Sequence, residues 1–340
     1  MRDTLIDKSP AELTDIVVRM GLPRFTTGQL AQWLHVKKVL DIDDMTNLSK
    51  AARKQLAESY ETGIREPLRT QTSVDGTEKF LFPTSNGQQV ETVFIPDEER
   101  GTVCLSTQVG CPMACTFCQT GRQGFHGNLS VADILAQLYW VAASRRVTNV
   151  VVMGQGEPLR NTDNVLKALN ILCHPQFAAW SPHRITLSTV GIRGELQRFL
   201  DGCQCHLAVS LHSPIPAQRH QLMPAEGGWS IREVLQVLRQ YDFRHQRHLS
   251  FEYLLLKGVN DTPLHAKETV KLLRGLNCKV NLLRFHDIGQ TQWQGAQEDV
   301  IVAFRDYLTK HGIHATIRRS RGQDIDAACG MLTTKDSSRP

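Results

Sequence analysis

The chain has 340 residues, 41% of them hydrophobic, and a formal net charge of +5, which fits one large domain plus a small one and excludes a mainly disordered protein. No apolar run is long enough to span a membrane, and residues 1–8 carry acids where a signal peptide would be apolar. Nine cysteines, an odd number, favour thiol or metal chemistry over a disulfide framework, so the expected location is the cytoplasm.

In chain order, Ser9-Pro10-Ala-Glu12 forms a capping box with proline at the first helical position. Leu13, Ile16, Val17 and Met20 then repeat at helical spacing, and Gly21 can close the helix. A second helix carries Leu30, Trp33 and Leu34, and a third starts at Ser49 and runs toward Tyr60. These predict a small helical domain over residues 1–66. A β-meander follows as a linker over 67–100. Its turns, Asp75-Gly76 and Asn86-Gly87, read as two-residue hairpin turns flanked by Phe80, Phe82, Val90, Val93 and Phe94, which puts Glu91 on a strand. From Thr102 onward, apolar strands near 103–106, 149–153, 184–188, 206–211, 249–255, 279–285 and 314–317 alternate with amphipathic helices. The helices begin near Ser130, Asp163, Ile192, Ser230, Leu264 and Glu298. About six βα units predict an α/β fold, a partial (βα)6-type barrel over 101–330 with its active site at the strand C-termini. A short polar tail, 331–340, is left over.

The chemistry concentrates in Cys111-Pro-Met-Ala-Cys115-Thr-Phe-Cys118. Thiolates at this spacing can hold three corners of a cubane cluster, and no fourth cysteine follows at ferredoxin spacing, so one iron stays open to a ligand. The alternative is a zinc knot with Cys104 as fourth ligand, against which stands the single C-x2-C pair. Far downstream, Cys329 sits among small residues after the basic run Arg318, Arg319 and Arg321. That setting favours an accessible thiol of lowered pKa on a flexible loop over a buried, inert cysteine. Arg244, His245, Arg247 and His248 form a second basic cluster. Such clusters can neutralise phosphates, although a solvated basic face is the commoner meaning of any one of them.

Four ordered motifs carry a resemblance: Cys104-Leu-Ser-Thr-Gln-Val-Gly-Cys111, Cys118-Gln-Thr-Gly-Arg-Gln-Gly-Phe125, Met153-Gly-Gln-Gly-Glu-Pro-Leu159 and Asp324-Ile-Asp-Ala-Ala-Cys-Gly330. Together they resemble the RlmN/Cfr family of radical S-adenosylmethionine (SAM) RNA adenine methyltransferases, over nearly the whole chain. The resemblance implies a [4Fe-4S] cluster on Cys111, Cys115 and Cys118, and SAM contacts from Gly156, Glu157, Ser188, Ser210, Leu211 and His212. It implies that SAM cleavage yields a 5′-deoxyadenosyl radical. It also implies that Cys329 accepts a methyl group, that Cys104 resolves the later RNA adduct through a transient disulfide, and that Glu91 accepts the adenine proton. Without the resemblance, Glu91 reads as a solvent-facing strand residue. Cys173, Cys203, Cys205 and Cys278 read as structural.

The implied substrate is ribosomal or transfer RNA, methylated on an adenine ring carbon, C2 first and C8 or another RNA as the alternative. A reading from another class is a non-catalytic zinc-binding RNA module. Flavodoxin or ferredoxin is the expected electron donor, and the protein is expected to be a monomer. In the family the N-terminal helices help to grip RNA; from the residues alone a plain packing module fits equally well. The chain departs from the pattern at His286, where relatives place an asparagine that touches SAM. Neutral histidine offers one donor and one acceptor, so it can keep that contact while reshaping the pocket, as expected of a divergent branch.

Overall fold

A computed structural model describes residues 2–333 apart from 246 and 290. The polar tail from 334 onward lies outside the described residues. At the N-terminus, β1 (Asp3–Thr4) pairs in parallel with β2 (Tyr60–Glu61), tying together the two ends of a helical module. Its first helix, α1 (Pro10–Arg19), starts at the expected capping box: Glu12 N–H donates to Ser9 Oγ at 3.3 Å and Ser9 N–H to Glu12 Oε2 at 2.7 Å. Next, α2 (Thr26–Ala31) runs into a π-helical turn, Gln32–Lys37, and α3 (Lys50–Ser59) is capped by Ser49. Leu13, Ile16, Val17, Leu30, Leu34 and Leu56 are buried in the same core as the rest of the protein.

The meander comprises β3 (Arg69–Thr72), β4 (Glu78–Pro83) and β5 (Gln89–Asp97), followed by β6 (Arg100–Cys104). Its turns differ from the two-residue form expected. Ser73 pairs with Thr77 and Thr84 with Gln88, leaving three residues in each loop. Only Gly76 and Gly87 take positive φ, at 83° and 78°. A type I′ turn needs positive φ at both central residues. Here Asp75 instead uses its carboxylate to accept the Thr77 N–H at 2.9 Å, and an aspartate bonded in this way stabilises a wider turn with glycine last.

After β6 come the small ladder β7 (Gln108–Gly110) with β8 (Phe125–Asn128), and α4 (Gln119–Gln123) between them. Then α5 (Val131–Ser144), β9 (Asn149–Val152), α6 (Thr162–Cys173), β10 (Ile185–Thr189), α7 (Glu195–Gly202) and β11 (His206–Ser210) alternate. The chain continues through α8 (Pro216–Leu222), α9 (Ile231–Leu238), β12 (Leu249–Leu255), α10 (Pro263–Leu273), β13 (Lys279–Arg284), α11 (Glu298–Lys310) and β14 (His314–Ile317). β6 and β9 to β14 are all parallel, as helical crossovers require.

The meander is part of the same sheet. Ten strands run in the order β14-β13-β12-β11-β10-β9-β6-β5-β4-β3, and among the described residues β14 and β3 do not pair, so the barrel stays open. The N-terminal module packs against the barrel helices: His35 Nδ1 lies 2.7 Å from the Tyr139 hydroxyl and the His35 ring stacks on Phe177. Among the described residues no helix is long and apolar enough to cross a membrane.

Candidate active site

The three-cysteine loop leaves β7 at Gly110, which has φ +72; a Cβ there would come within 1.7 Å of the Gly124 carbonyl oxygen. Only glycine lets the two ends of the loop close so tightly. Cys111 N–H donates to that carbonyl at 2.9 Å, and Thr116 N–H donates to Leu222 O at 3.0 Å. All three cysteines are half-buried, and Cys111 and Cys115 pack on an apolar cluster that includes Met113, Leu222, Met223 and Leu254. Burial is the largest cause for both: with Glu157 and then Cys118 it pushes Cys111 up to about 12 against the Met113 backbone N–H, and with Cys118, Cys111 and Glu157 it pushes Cys115 well above the usual thiol range. The Cys118 sulfur accepts backbone N–H groups of Thr120 and Gly121 at the start of α4, which oppose its own burial.

Three thiol sulfurs gathered on one loop, two of them raised further by neighbouring thiols, are donors suited to an iron–sulfur cluster, so these residues fit it. Among the described residues no three His, Cys, Asp or Glu side chains are set to hold a single metal ion. The Cys104 thiol, the fourth ligand of the zinc-knot alternative, bears on Cys329.

Gly156, Glu157, Ser188, Ser210, Leu211 and His212 lie on or just after the C-terminal ends of β9, β10 and β11, three neighbouring strands. A Cβ at Gly156 would meet Gln108 at 2.6 Å, and Gln108 Oε1 accepts the Glu157 N–H at 2.9 Å. The Glu157 carboxylate is buried. Oε1 accepts from Leu159 N–H at 3.0 Å and Thr189 Oγ1 at 2.6 Å, and Oε2 from Val190 N–H at 2.9 Å. Burial raises its pKa against the pull of these donors. Its charge acts on Cys111 and Cys115, which puts it beside the cluster loop. His212 takes φ +53 and its Nδ1 accepts the Leu254 N–H at 2.9 Å. Burial lowers its pKa to about 3, so the ring is neutral with its proton on Nε2, and it stands edge-on to Phe117.

Cys104, Cys118, Cys329, His286 and Arg318 line one cavity of about 450 Å³ inside the barrel. Cys104 is buried on β6, whereas Cys329 is exposed on the segment that follows β14. The thiol of Cys329 departs from expectation. The residue as a whole is exposed, but its thiol borders the cavity, and desolvation there raises its pKa, which Arg318 only partly offsets. Its loop is also held at several points. Asp324 accepts from Ser73 Oγ at 2.5 Å and Val74 N–H at 3.1 Å in the β3–β4 turn. Gly330 O accepts Gln119 N–H at 2.7 Å, and Leu332 O accepts Thr120 Oγ1 at 2.7 Å. Ala327 and Leu332 pack with Val93 and Cys104.

Glu91 is not solvent-facing. It is 2% exposed on β5, with Oε1 3.0 Å from Lys79 Nζ and Oε2 accepting Thr333 N–H at 2.9 Å. Alternation along the meander does not tell which face is covered, and the C-terminal segment covers this one.

Arg318 and Arg319 are exposed at the cavity wall, Arg321 is bonded to Asp97 at 2.7 Å, and Arg100 and Arg284 line the same cavity. The second basic cluster lies before β12, at the opposite end of the strands. There Arg247 is buried and donates to Leu200 O at 3.0 Å, so it holds the fold together. Two residues organise the site without any sequence signal. Gln108 holds the Glu157 turn, and fully buried Arg219 donates to Leu211 O at 3.0 Å, Ser210 O at 2.7 Å and Val190 O at 3.3 Å while pairing with Glu226.

His286 is half-buried at the cavity, and burial and then Arg284 lower its pKa, so a neutral ring faces the pocket. A hydrogen bond to a neutral partner contributes about 1 kcal/mol. His286→Leu should therefore weaken SAM binding several-fold while His286→Asn largely preserves it. Equal affinity of wild type and His286→Leu in equilibrium binding would remove His286 from the site.

A partial barrel of parallel strands with a three-cysteine loop beside its lumen defines a radical SAM enzyme, and residues 105–273 match the radical SAM superfamily. Residues 4–62 match the ribosomal RNA large subunit methyltransferase N-terminal domain. A protein of Phocaeicola vulgatus named a probable dual-specificity RNA methyltransferase RlmN is 52% identical over 333 residues, covering 98% of this chain and 95% of its own. A protein of the same name from Bacteroides fragilis is 53% identical over 330 residues, covering 97% and 96%. The crystal structure of a radical SAM methyltransferase from Sphaerobacter thermophilus superposes with a TM-score of 0.93 at 37% identity, covering 98% of this chain and 100% of that one. The chain belongs to the RlmN family of radical SAM RNA methyltransferases, whose cofactors are a [4Fe-4S] cluster and SAM.

Proposed function

We propose that this enzyme methylates an adenine ring carbon, C2 before C8, in ribosomal or transfer RNA through a methylated Cys329. The observation that carries this reading is the placement of Cys104, Cys118 and Cys329 on the wall of one cavity. Bound to Cys111, Cys115 and Cys118, the cluster with SAM supplies the methyl group and the radical chemistry.

The chain's own residues do the rest. Glu157, Ser188, Ser210, Leu211, His212 and His286 bind SAM, and Arg219 fixes the strand ends that carry several of them. Cys329 bears the one-carbon unit to the base. Glu91 takes the proton from the adenine carbon. Cys104 then forms a bond to the Cys329 sulfur as the carbon–sulfur bond breaks, the carbon keeping the electron pair and gaining a proton. Residues 1–66 act as an accessory RNA grip, the 67–100 meander joins them to the 101–330 barrel, and the enzyme works as a cytoplasmic monomer reduced by flavodoxin or ferredoxin.

Nucleosides from ribosomal and transfer RNA of a deletion strain, compared by mass spectrometry with a complemented strain, test the reading. Loss of 2-methyladenosine is expected; loss of 8-methyladenosine instead moves the reaction to C8, and unchanged RNA overturns it. Restoring 2-methyladenosine in a strain of another species lacking its own enzyme would overturn the divergent-target expectation drawn from His286.

Arg318, Arg319 and Arg321 border the cavity mouth and are the proposed phosphate contacts. Neutralising all three should weaken RNA binding and flatten the slope of affinity against salt by about one unit for each phosphate left without its arginine. An unchanged slope in binding titrations would make them merely solvated.

A further inference from the structure

Lys79 on β4 and Glu91 on β5 form an ion pair whose side chains are only 5% and 3% exposed. The Lys79 ammonium also lies 3.5 Å from the carbonyl oxygen of Asp326, just before Cys329. The other carboxylate oxygen, Glu91 Oε2, accepts the N–H of Thr333, just after Cys329. The pair therefore touches the Cys329 segment on both sides. It is not needed to join β4 to β5, whose antiparallel register already runs from Glu78 to Pro83. A buried ion pair contributes little stability that a packed apolar side chain would not, because desolvation offsets the attraction. What lysine adds here is charge.

We propose that Lys79 is the positioning residue for Glu91, holding Oε1 and keeping the carboxylate ionised while Oε2 is left to meet the substrate proton. The proposal rests on the reading of Glu91 as proton acceptor. As the segment stands, Glu91 is absent from the cavity lining, whereas Val93, two residues along the same face of β5, is part of it. Oε2 is capped by Thr333. The segment that carries Cys329 into the reaction is thus the one that covers the base. When Thr333 withdraws, Oε2 is uncovered and Lys79 still anchors Oε1. The adenine adduct loses its unpaired electron to the one-electron chemistry that the bound cluster would supply, and its carbon–hydrogen bond breaks, the electron pair returning to the ring and the proton going to Oε2.

Several groups face Glu91. Lys79 from β4 and Arg69 from β3, one strand further, favour the ionised form, as does the Thr333 N–H. Burial opposes them and is the largest influence, raising the pKa. Cys104 on β6 stands opposite Val93, α4 contributes Gln123 beside Thr333, and Gln155 after β9 accepts the Glu91 backbone N–H at 2.9 Å. With the ammonium gone, burial acts with less opposition and the carboxyl takes up its proton at higher pH.

Lys79→Met should therefore move the rising limb of the methylation pH profile upward by about 1–3 units. Below the new midpoint activity falls about tenfold per pH unit, and it returns at higher pH. Lys79→Arg should keep the wild-type midpoint. A second readout needs no turnover: infrared difference titration of the cluster-containing protein without SAM, with the Glu91 carboxyl band assigned by its loss in Glu91→Gln. That band should persist to higher pH in Lys79→Met. If Lys79→Met folds poorly, Lys79→Gln takes its place in both measurements.

Unshifted midpoints in both measurements, with Glu91→Gln inactive, overturn the role of Lys79 alone. A Glu91→Gln enzyme with wild-type rate and pH profile overturns the reading of Glu91 itself.

Discussion

Replacing Cys111, Cys115 or Cys118 singly by alanine should abolish both iron retention and SAM cleavage while leaving the fold in place. A cubane that already lacks a fourth protein thiolate cannot lose a third without opening a second iron to solvent. The fold does not depend on these side chains to the same degree. The loop is held by backbone bonds, Cys111 N–H to Gly124 O and Thr116 N–H to Leu222 O, and all three thiols are half-buried at its surface. Losing one small, partly buried group costs about 1 kcal/mol, well within ordinary stability margins. The expected result is thus a folded, colourless protein. Iron and sulfide analysis after anaerobic purification, circular dichroism, and the yield of 5′-deoxyadenosine from SAM check it together. Stoichiometric zinc without iron in anaerobically prepared wild type would overturn the assignment, and so would an alanine variant that keeps its iron.

Much of this arrangement is legible in the sequence because its signals are local. The parallel strands are short apolar runs between helices, since crossover helices bury one face and the barrel lumen the other. Asn149–Val152, Leu249–Leu255 and His314–Ile317 accordingly begin at the residues where the sequence predicts their strands to start. Ser9, Ser49, Ser130 and Ser230 cap helices through hydrogen bonds that span three residues, a distance the sequence displays directly.

What the sequence hides depends on distant partners. Glu91 alternates like any strand residue, and only the return of Thr333 makes it buried. Arg219 looks like a helix-surface residue, yet it is fully buried because three carbonyls from two strand ends point at it. The thiol of Cys329 follows its place against the cavity wall rather than the arginines beside it in sequence, because desolvation there outweighs the attraction of Arg318. The hairpin turns differ from the two-residue form for a similar reason: Asp75 makes its hydrogen bonds inside the loop and toward Gly322, which widens the turn and ties it to the Cys329 segment.

Cys104→Ala should trap RNA covalently on Cys329. Cys104 sits on β6 between β5 and β9, fixed by Val93 on one side and Val151 on the other. Burial pushes its thiol well above the usual range, with the charge of Cys329 adding to the rise and Arg318 opposing it. In the resting protein it is therefore a neutral thiol that does not compete with Cys329 for a methyl group. Once Cys329 is methylated its sulfur carries no charge, and it stays uncharged in the adenine adduct, so that contribution to the Cys104 pKa is gone while the pull of Arg318 remains. Cys104 becomes easier to ionise when its attack on the Cys329 sulfur is needed.

Alanine removes the attacking group and little else, at a cost of about 1 kcal/mol for one small buried group. Incubation of Cys104→Ala with RNA, SAM and a reductant should then give a protein–RNA species that survives denaturation. Nuclease and protease digestion should leave one nucleotide-bearing peptide, the one containing Cys329. The double variant Cys104→Ala, Cys329→Ala should give none, which separates a true adduct from adventitious cross-linking. If Cys104→Ala carries no bound RNA while wild type turns over, or if the mass falls on another cysteine, the pairing of these two thiols is wrong.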